Sequence, residues 1–220
     1  MAVKKWIKRI VGNLIYRLNP GQAERERTVV QPEFHALKPG DIAIDCGANL
    51  GAITRILAAT GAEVHAFEPN PDAFAVLSEV TAGMPNVHRH QKAVLDTPGR
   101  LTLHLHVNYA RNPERFSSGS SLIGEKRNVD ATRGVEVEVV DLVSFIAALD
   151  RPVKLLKIDI EGAEYAILHA LLDHGVIDRV EKIFVETHAH AIPSLRQTDA
   201  ALRARIAKMG LDEKIDLTWT

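Results

Sequence analysis

The sequence contains a single cysteine, Cys46, in 220 residues. One thiol cannot form an internal disulfide, and no Cys/His spacing of a structural zinc site occurs along the chain. Long apolar runs are also lacking, since none approaches the roughly 20 residues needed to cross a bilayer. The N-terminus has no uninterrupted apolar segment of the kind found in signal peptides. These absences predict a cytoplasmic protein in a reducing compartment.

An excess of charge of either sign is missing as well. The chain has 27 Lys and Arg residues against 28 Asp and Glu residues, a formal net charge of -1. No global basic field is available to hold many phosphates, so nucleic acid is not an expected partner. Apolar residues make up 46% of the chain, which at this length can bury one full core. We therefore expect one domain with a short appendage.

The expected appendage is a basic amphipathic helix over residues 1–20. Apolar side chains recur at helical spacing from Trp6 to Leu18, and Lys and Arg residues occupy the other face. Pro20 and Gly21 end the helix, because proline cannot continue it. Two interpretations stay open for the apolar stripe. It lies on an anionic membrane surface as a peripheral contact, or it packs on its own domain or on a second copy in a homodimer.

Residues 35–220 form the predicted domain, in which short apolar runs alternate with helical stretches. Strands are predicted near 41–46, 63–68, 87–94, 153–159 and 181–187, with helices near 51–60, 71–82, 141–149, 162–174 and 195–209. Further strands are indicated at 100–107, 135–140 and 213–219. This alternation predicts parallel strands joined by right-handed helical crossovers. The stretch 108–134, with a proline and a serine-rich run, is predicted to be a substrate lid or a flexible loop.

The first predicted strand leads into a glycine turn and then a helix, a pattern typical of a ligand site. Gly47 leaves room for a ligand over the strand end, and Gly51 lets the following helix approach the sheet closely. The Gly-x-x-x-Gly spacing lacks the third glycine of a dinucleotide fingerprint, which disfavours an NAD-linked oxidoreductase. A tight turn with only a structural role is the alternative.

The second predicted strand ends in Glu68, about 20 residues after the glycine turn, the spacing of an acidic residue that holds ribose hydroxyls. The same residue, followed by Pro69 and Asn70, also fits the start of a helix. The third strand would pass beside the base of such a ligand. Lys92 and Ala93 are the residues predicted there.

Ionisable side chains follow the fourth and fifth predicted strands, at the sheet edge where open α/β folds place their ligands. His188 has an ordinary pKa that suits a base near neutral pH, and Asp159 is the other candidate base. Lys157 shares a side of its strand with Asp159, and a structural ion pair is its alternative role. Glu161 is predicted in a first helical turn, where a carboxylate favours the helix dipole without any catalytic role.

Carboxylates with one imidazole also suit Mg²⁺ or Mn²⁺. Asp159, Glu186 and His188 are therefore a candidate cation site. A site without metal is the favoured interpretation.

Five motifs occur in order along the chain: AIDCGANLGAIT, HAFEPNP, KAVLDTPGRL, KLLKIDIEGAEYAIL and IFVETH. Over roughly residues 40–190 this order resembles the FkbM-type family of methyltransferases, with KIDIEGAE its most specific part. The resemblance implies an α/β, class I, Rossmann-like fold with a doubly wound, mostly parallel, seven-stranded sheet. It also implies S-adenosylmethionine as methyl donor and a hydroxyl group as acceptor, often on a sugar or secondary metabolite.

The cofactor contacts expected on this basis are Asp45, Gly47, Ala48, Asn49, Gly51, Glu68, Pro69, Asn70, Lys92, Ala93 and Asp159. The candidate catalytic residues are Asp159, His188, Lys157 and Glu186. The predicted function is O-methylation of a hydroxyl on a sugar, glycan or related small molecule. One alternative is N-methylation, which needs no strong base. Another is a scaffold protein without turnover, which replacement of Asp45, Glu68 or Asp159 would have favoured.

Overall fold

A parallel sheet forms the centre of the computed structural model, which describes residues 31–111, 117, 120–124, 126 and 128–219. The nine strands in this part of the chain are β1 (Ile42–Cys46), β2 (Glu63–Phe67), β3 (Val87–His90), β4 (Ala93–Leu95), β5 (Gly99–His106), β6 (Val129–Asp141), β7 (Val153–Ile158), β8 (Val180–Val185) and β9 (Ile215–Asp216). The α-helices are α1 (Pro32–His35), α2 (Ala52–Ala59), α3 (Pro71–Val80), α4 (Leu142–Ala148), α5 (Glu164–Asp173) and α6 (Arg196–Lys208). The helix predicted over residues 1–20 lies outside the described residues.

The central sheet has the strand order β3-β2-β1-β7-β8-β9, and each neighbouring pair runs parallel. The chain moves outward through β1, β2 and β3, and then returns to β7 on the other side of β1. This reversal creates a crevice beyond the carboxyl ends of β1 and β7, where open α/β sheets bind their ligands.

Both faces of the central sheet are covered, as a doubly wound fold requires. Every residue of β1 is buried, which explains why its sequence is a continuous apolar run broken only by an aspartate. Ile44 and Cys46 pack into one core cluster with α4, α5 and α6, while Ala43 packs into a second cluster with α1, α2 and α3. Alternation along a single strand therefore supplies both cores.

The strand count differs from the prediction. In the described part of the chain the central sheet has six strands rather than seven, and a separate sheet has the order β4-β6-β5. The strand predicted over 87–94 is divided, because Ala93–Leu95 pairs in parallel with Val139–Asp141 instead of continuing beside β2. The predicted lid is also shorter, since β6 already begins at Val129.

Side-chain caps explain where two helices begin. The side chain of Asn70 accepts hydrogen bonds from the backbone N–H groups at 72 and 73, with Pro71 in the first turn of α3. Asp141 caps α4 in the same way, through the N–H groups at 143 and 144. No α-helix or other helix among the described residues is both long and apolar enough to cross a membrane.

Candidate active site

A cavity open to solvent lies over the carboxyl ends of β1, β2 and β7. The predicted cofactor residues in its wall are Gly47, Asn49, Glu68, Pro69, Asn70, Lys92, Ala93 and Asp159. The rest of the wall consists of Phe67, Val94, Leu103, Ser117, Ser120, Ser121, Leu122, Ile160 and Glu161. The other predicted cofactor residues, Asp45, Ala48 and Gly51, are not part of this wall.

The glycine turn after β1 is held by close packing rather than by ligand space alone. Gly47 has φ +77°, and a Cβ there would lie 1.8 Å from the carbonyl oxygen of Asp159. Gly51 has φ +88°, and its Cβ would lie 2.9 Å from Leu77 of α3. Our expectation that Gly51 serves helix-to-sheet packing was therefore wrong, because the contact is between helices.

Glu68 ends β2 with a carboxylate whose two oxygens are each fixed by the backbone. Oε2 accepts from the N–H of Asn49 and Oε1 from the N–H of Asn70, both at 2.8 Å. Burial raises the pKa of Glu68 to about 7, although the two backbone hydrogen bonds and Lys157 act to lower it. Each oxygen keeps a further lone pair, so a ligand with two hydroxyl groups can donate to both.

Unpaired polar atoms in the same wall indicate that the cavity takes a polar ligand. Asn70 is 1% exposed and Ser120 is 7% exposed. Among the described residues neither Asn70 Nδ2 nor Ser120 Oγ has a hydrogen-bond partner. Buried donors without partners are costly, so a ligand that pairs with them is favoured.

The buried side chain of Lys157 links β7 to the end of β1. Its ammonium lies 3.1 Å from Asp45 Oδ1 and donates at 2.7 Å to the carbonyl of Gly47. Thr54 donates to the other oxygen of Asp45 at 2.6 Å. Burial opposes the charged ammonium, but Asp45 and Asp159 outweigh it, so the pKa of Lys157 is raised. These contacts fit the alternative of a structural ion pair and place Asp45 behind the wall.

His188 follows β8 and lies among carboxylates, 4% exposed. Its Nε2 is 3.1 Å from Glu161, 3.8 Å from Asp159 and 3.9 Å from Glu186, and its Nδ1 is 3.2 Å from Glu164. Burial opposes its charge, but the bonds to Glu161 and Glu164 raise its pKa to about 11. An imidazolium has no lone pair to accept a proton, so the argument for His188 as a base at neutral pH fails.

Asp159, like Glu68, is a carboxyl group in the wall that can change its protonation near neutral pH. Its side chain is 29% exposed and lies 3.8 Å from the Lys157 ammonium. Burial raises its pKa to about 7, with Glu186 and Glu161 acting in the same direction and Lys157 against them. Partial exposure towards the cavity leaves this carboxylate accessible to a ligand.

Glu161 and Glu164 both contact His188, and Glu161 lies before α5 rather than in the first helical turn where it was predicted. Glu161 has φ +60° and precedes α5. It forms part of the cavity wall rather than of the first helical turn. Glu164 is fully buried and accepts from the backbone N–H groups of Gly162 and His188. The glycine after Glu161 was the available signal, because it marks a turn rather than a helix start.

A cation site would use different residues from those predicted. Asp159, Glu161 and His188 offer ligand atoms within 4.8 Å of one another, whereas the predicted group had Glu186 in place of Glu161. The ammonium of Lys126 already contacts Glu161, and Lys157 lies near Asp159. These two lysines therefore place positive charge beside Glu161 and Asp159 without a bound ion.

Described residues of the 108–134 segment lie across the cavity. Ser117 donates to Asn49 Oδ1 at 2.7 Å, on the side of the glycine turn. Ser121 donates at 2.6 Å to the backbone carbonyl of Glu161, on the side of β7. The lid interpretation places residues over the cavity in this manner, and it stays a prediction.

The fold and the cavity together define a class of protein. A doubly wound parallel sheet, a crevice at its switch point and an acidic residue at the end of β2 are the features of Rossmann-like enzymes that bind a nucleoside-containing cofactor. Known proteins make the class specific. The sequence profile of the Methyltransferase FkbM domain matches residues 45–210, and the chain belongs to this family.

Two curated relatives agree with this assignment. The hexuronic acid methyltransferase AglP of Haloferax volcanii is 26% identical over 192 residues, 86% of this chain and 74% of that protein. The 31-O-demethyl-FK506 methyltransferase FkbM of Streptomyces tacrolimicus is 30% identical over 181 residues, 69% of this chain and 67% of that protein. The predicted resemblance is confirmed, and the protein is an S-adenosylmethionine-dependent methyltransferase.

A solved structure described as an rRNA methylase from Streptococcus thermophilus has a TM-score of 0.42 and 14% identity, covering 79% of this chain and 74% of that chain.

The residues of the cavity wall fit S-adenosylmethionine, the cofactor of the family. A fixed carboxylate at Glu68 suits a ribose, and the unpaired donors Asn70 Nδ2 and Ser120 Oγ suit a polar ligand.

Proposed function

We propose that this methyltransferase transfers its methyl group to a hydroxyl of a sugar, a glycan or a related hydroxylated small molecule. The observation that carries the proposal is Asp159, an accessible carboxylate in the cavity wall whose pKa is raised to about 7. A hydroxyl nucleophile must lose its proton as the new bond forms, and a base with a pKa near the working pH is best suited to accept it.

The cofactor has a defined place in this proposal. Glu68 would accept hydrogen bonds from the ribose hydroxyls, Lys92 and Ala93 would lie at the adenine, and Gly47 and Asn49 would lie at the methionine end. When bound, S-adenosylmethionine supplies an electrophilic methyl group on a sulfonium. The glycine turn and Asp159 meet at the same wall, so the acceptor oxygen is expected beside Asp159.

The neighbours of Asp159 position it rather than react. Lys157 spans from Asp45 to the Gly47 carbonyl and fixes the two strand ends against each other. His188, held by Glu164 and Glu161, places a positive charge beside the carboxylates and so limits their mutual repulsion. Glu161 and Glu186 keep oxygen lone pairs that can accept from further hydroxyls of the acceptor.

The names of the relatives support a hydroxylated acceptor. One is named for a hexuronic acid, which is a sugar derivative, and the other for the 31-O-demethyl form of FK506. Asp159 places carboxylate oxygens in the wall, and a purely apolar acceptor would offer them no hydrogen bond.

The test is an acceptor screen with the full chain and S-adenosylmethionine. Release of S-adenosylhomocysteine is followed with hydroxylated sugars, polyols and amines, and the methylated atom is identified by NMR. For the acceptor found, Asp159→Asn is expected to lower kcat by about 10²–10⁴-fold, the usual contribution of a general base. Asp212→Asn, an exposed aspartate, is the matched control and is expected to keep wild-type turnover.

Each alternative predicts a different result. Methylation confined to amines, with full turnover in Asp159→Asn, would establish N-methylation instead. Tight binding of S-adenosylhomocysteine with no methylated product from any acceptor class would favour the scaffold interpretation. An O-methylated product whose formation is insensitive to Asp159 would remove this residue from the mechanism.

A further inference from the structure

The side-chain amide of Asn70 has one end held by the protein and the other end without a partner. Its Oδ1 accepts hydrogen bonds from the backbone N–H groups of Asp72 at 3.0 Å and of Ala73 at 3.3 Å, and lies 2.8 Å from the hydroxyl of Tyr109. Among the described residues its Nδ2 has no hydrogen-bond partner, although Asn70 is only 1% exposed. The helix cap accounts for the oxygen and gives the amide nitrogen no role.

The third contact to this oxygen comes from a distant part of the chain. Tyr109 begins a short 3₁₀ turn, Tyr109–Arg111, just after β5, and its side chain is buried. Its hydroxyl lies 2.6 Å from Asp72 Oδ2 and 2.8 Å from Asn70 Oδ1, and its one hydrogen goes to one of these oxygens at a time. Burial and Asp72 raise the pKa of Tyr109, so the hydroxyl keeps its hydrogen and remains a donor.

These contacts determine which end of the Asn70 amide is available to a ligand. With Oδ1 opposite two N–H groups and a hydroxyl, every contact pairs an acceptor with a donor. A reversed amide would place its NH2 group against the same two N–H groups, donor against donor. The NH2 group is therefore the end left for a ligand, and Asn70 is part of the cavity wall. Two of the three contacts come from α3 itself, and the Tyr109 hydroxyl is the one that ties the amide to another element.

The neighbouring Glu68 indicates which part of the cofactor this NH2 group would face. Glu68 Oε1 accepts from the backbone N–H of Asn70, so the two residues are joined at the same end of β2. An ionised carboxylate only accepts hydrogen bonds, which suits the hydroxyls of a ribose. The ring nitrogens of adenine are acceptors and need a donor. Asn70 Nδ2 is a donor beside the expected ribose position, so the two side chains complement the two halves of adenosine.

We propose that Tyr109 is a positioning residue for the cofactor, and that it holds the Asn70 amide so that the NH2 group donates to a lone pair of the adenosine part of S-adenosylmethionine. Tyr109 is not part of the cavity wall, so it acts through Asn70. The proposal concerns cofactor binding and does not depend on Asp159 or on the acceptor.

The test is a double-mutant cycle in the affinity of the full chain for S-adenosylhomocysteine, measured by calorimetry. Tyr109→Phe removes the hydroxyl and keeps the ring. Asn70→Ser removes the NH2 group and keeps a side chain that caps a helix about as well as asparagine does. Each single variant is expected to weaken binding by about 3–10-fold, the effect of one hydrogen bond. The double variant is expected to bind no more weakly than Asn70→Ser, because Tyr109 acts through Asn70.

Tyr165→Phe is the matched control. It removes another buried tyrosine hydroxyl, which lies 3.2 Å from Asp199 and is not part of the cavity wall, and it is expected to keep wild-type affinity. Circular dichroism checks that each variant folds. Wild-type affinity in either single variant would overturn the proposal. Losses that multiply in the double variant would overturn it as well, because the two residues would then act independently, and so would an equal loss in Tyr165→Phe.

Discussion

Replacing Glu68 by glutamine should weaken the binding of S-adenosylhomocysteine, the product form of the cofactor, without unfolding the protein. The carboxylate accepts one backbone N–H on each oxygen and has lone pairs left for two ribose hydroxyls. Glutamine retains one acceptor oxygen and places an amide donor against the N–H of Asn49 or of Asn70. Hydrogen bonds to charged groups contribute about 1.5–3 kcal/mol, so an affinity loss of roughly 10–150-fold is expected.

The pH dependence gives the same prediction a second observable. Burial raises the pKa of Glu68 to about 7, and the ionised form is the one that accepts both hydroxyls. Affinity is therefore complete above this pKa and falls as the pH decreases through it. The decline should approach about tenfold per pH unit below 7, until the pKa of the complex is reached. Glu68→Gln should lack this dependence.

Calorimetry from pH 5 to pH 8 measures both effects. The matched control is Glu181→Gln, which removes an exposed carboxylate of β8 that pairs with Lys154 rather than with the cavity. Wild-type affinity in Glu68→Gln, or the same pH profile in both proteins, would show that this carboxylate does not bind the ribose.

Four further outcomes are expected. Lys157→Met should lower the free energy of unfolding, measured by urea denaturation, by about 3–5 kcal/mol because it leaves Asp45 charged and buried. Lys154→Met, which removes a partly exposed lysine of β7, should change it little. Equal urea midpoints for the two variants would contradict a stabilising ion pair between Lys157 and Asp45. Gly47→Ala should abolish S-adenosylhomocysteine binding through the clash with Asp159, while Gly175→Ala, with a similar φ and open space, should retain it. Asp159→Asn should raise the Tm at pH 8 but not at pH 4, because a carboxyl group whose pKa is raised in the folded protein loses stability as the pH rises through that pKa, and asparagine does not ionise. Each kcal/mol corresponds to about 2–4 °C in Tm. An unchanged Tm at pH 8 would argue against a raised pKa of Asp159. EDTA should leave cofactor binding and methyl transfer unchanged, because Lys126, Lys157 and His188 already supply positive charge to the cavity carboxylates. A loss of methyl transfer that Mn²⁺ restores would show an ion at Asp159, Glu161 and His188.

Much of the fold follows from local pattern. The run from residue 41 to 51 is apolar, then glycine-rich, then helical, and it forms β1, the turn and α2 as predicted. Its continuous burial and the capping signals at Asn70 are short-range effects that a sequence contains in full. The division of the strand at 87–94 was not predictable, because Ala93–Leu95 pairs with residues more than forty positions later.

Pairing explains the errors at the site as well. The sequence placed Asp159, Glu161, Glu186 and His188 near one sheet edge, because parallel strands end together. It gave no information on which carboxylates surround the imidazole. Glu164, the first residue of α5, contacts His188 and helps to raise its pKa to about 11, which reverses the predicted role of that histidine.

The sequence by itself determined the order of strands and helices, the cofactor turn, the acidic end of β2 and the family. Each strand, helix and motif depends on residues close together in the chain, where spacing and side-chain type decide the conformation, and the family follows from the order of the motifs. Only the tertiary structure decided which charges are neighbours: Lys157 with Asp45, and His188 with Glu161 and Glu164. Protonation and metal affinity depend on distance and burial in three dimensions, which no spacing along the chain specifies.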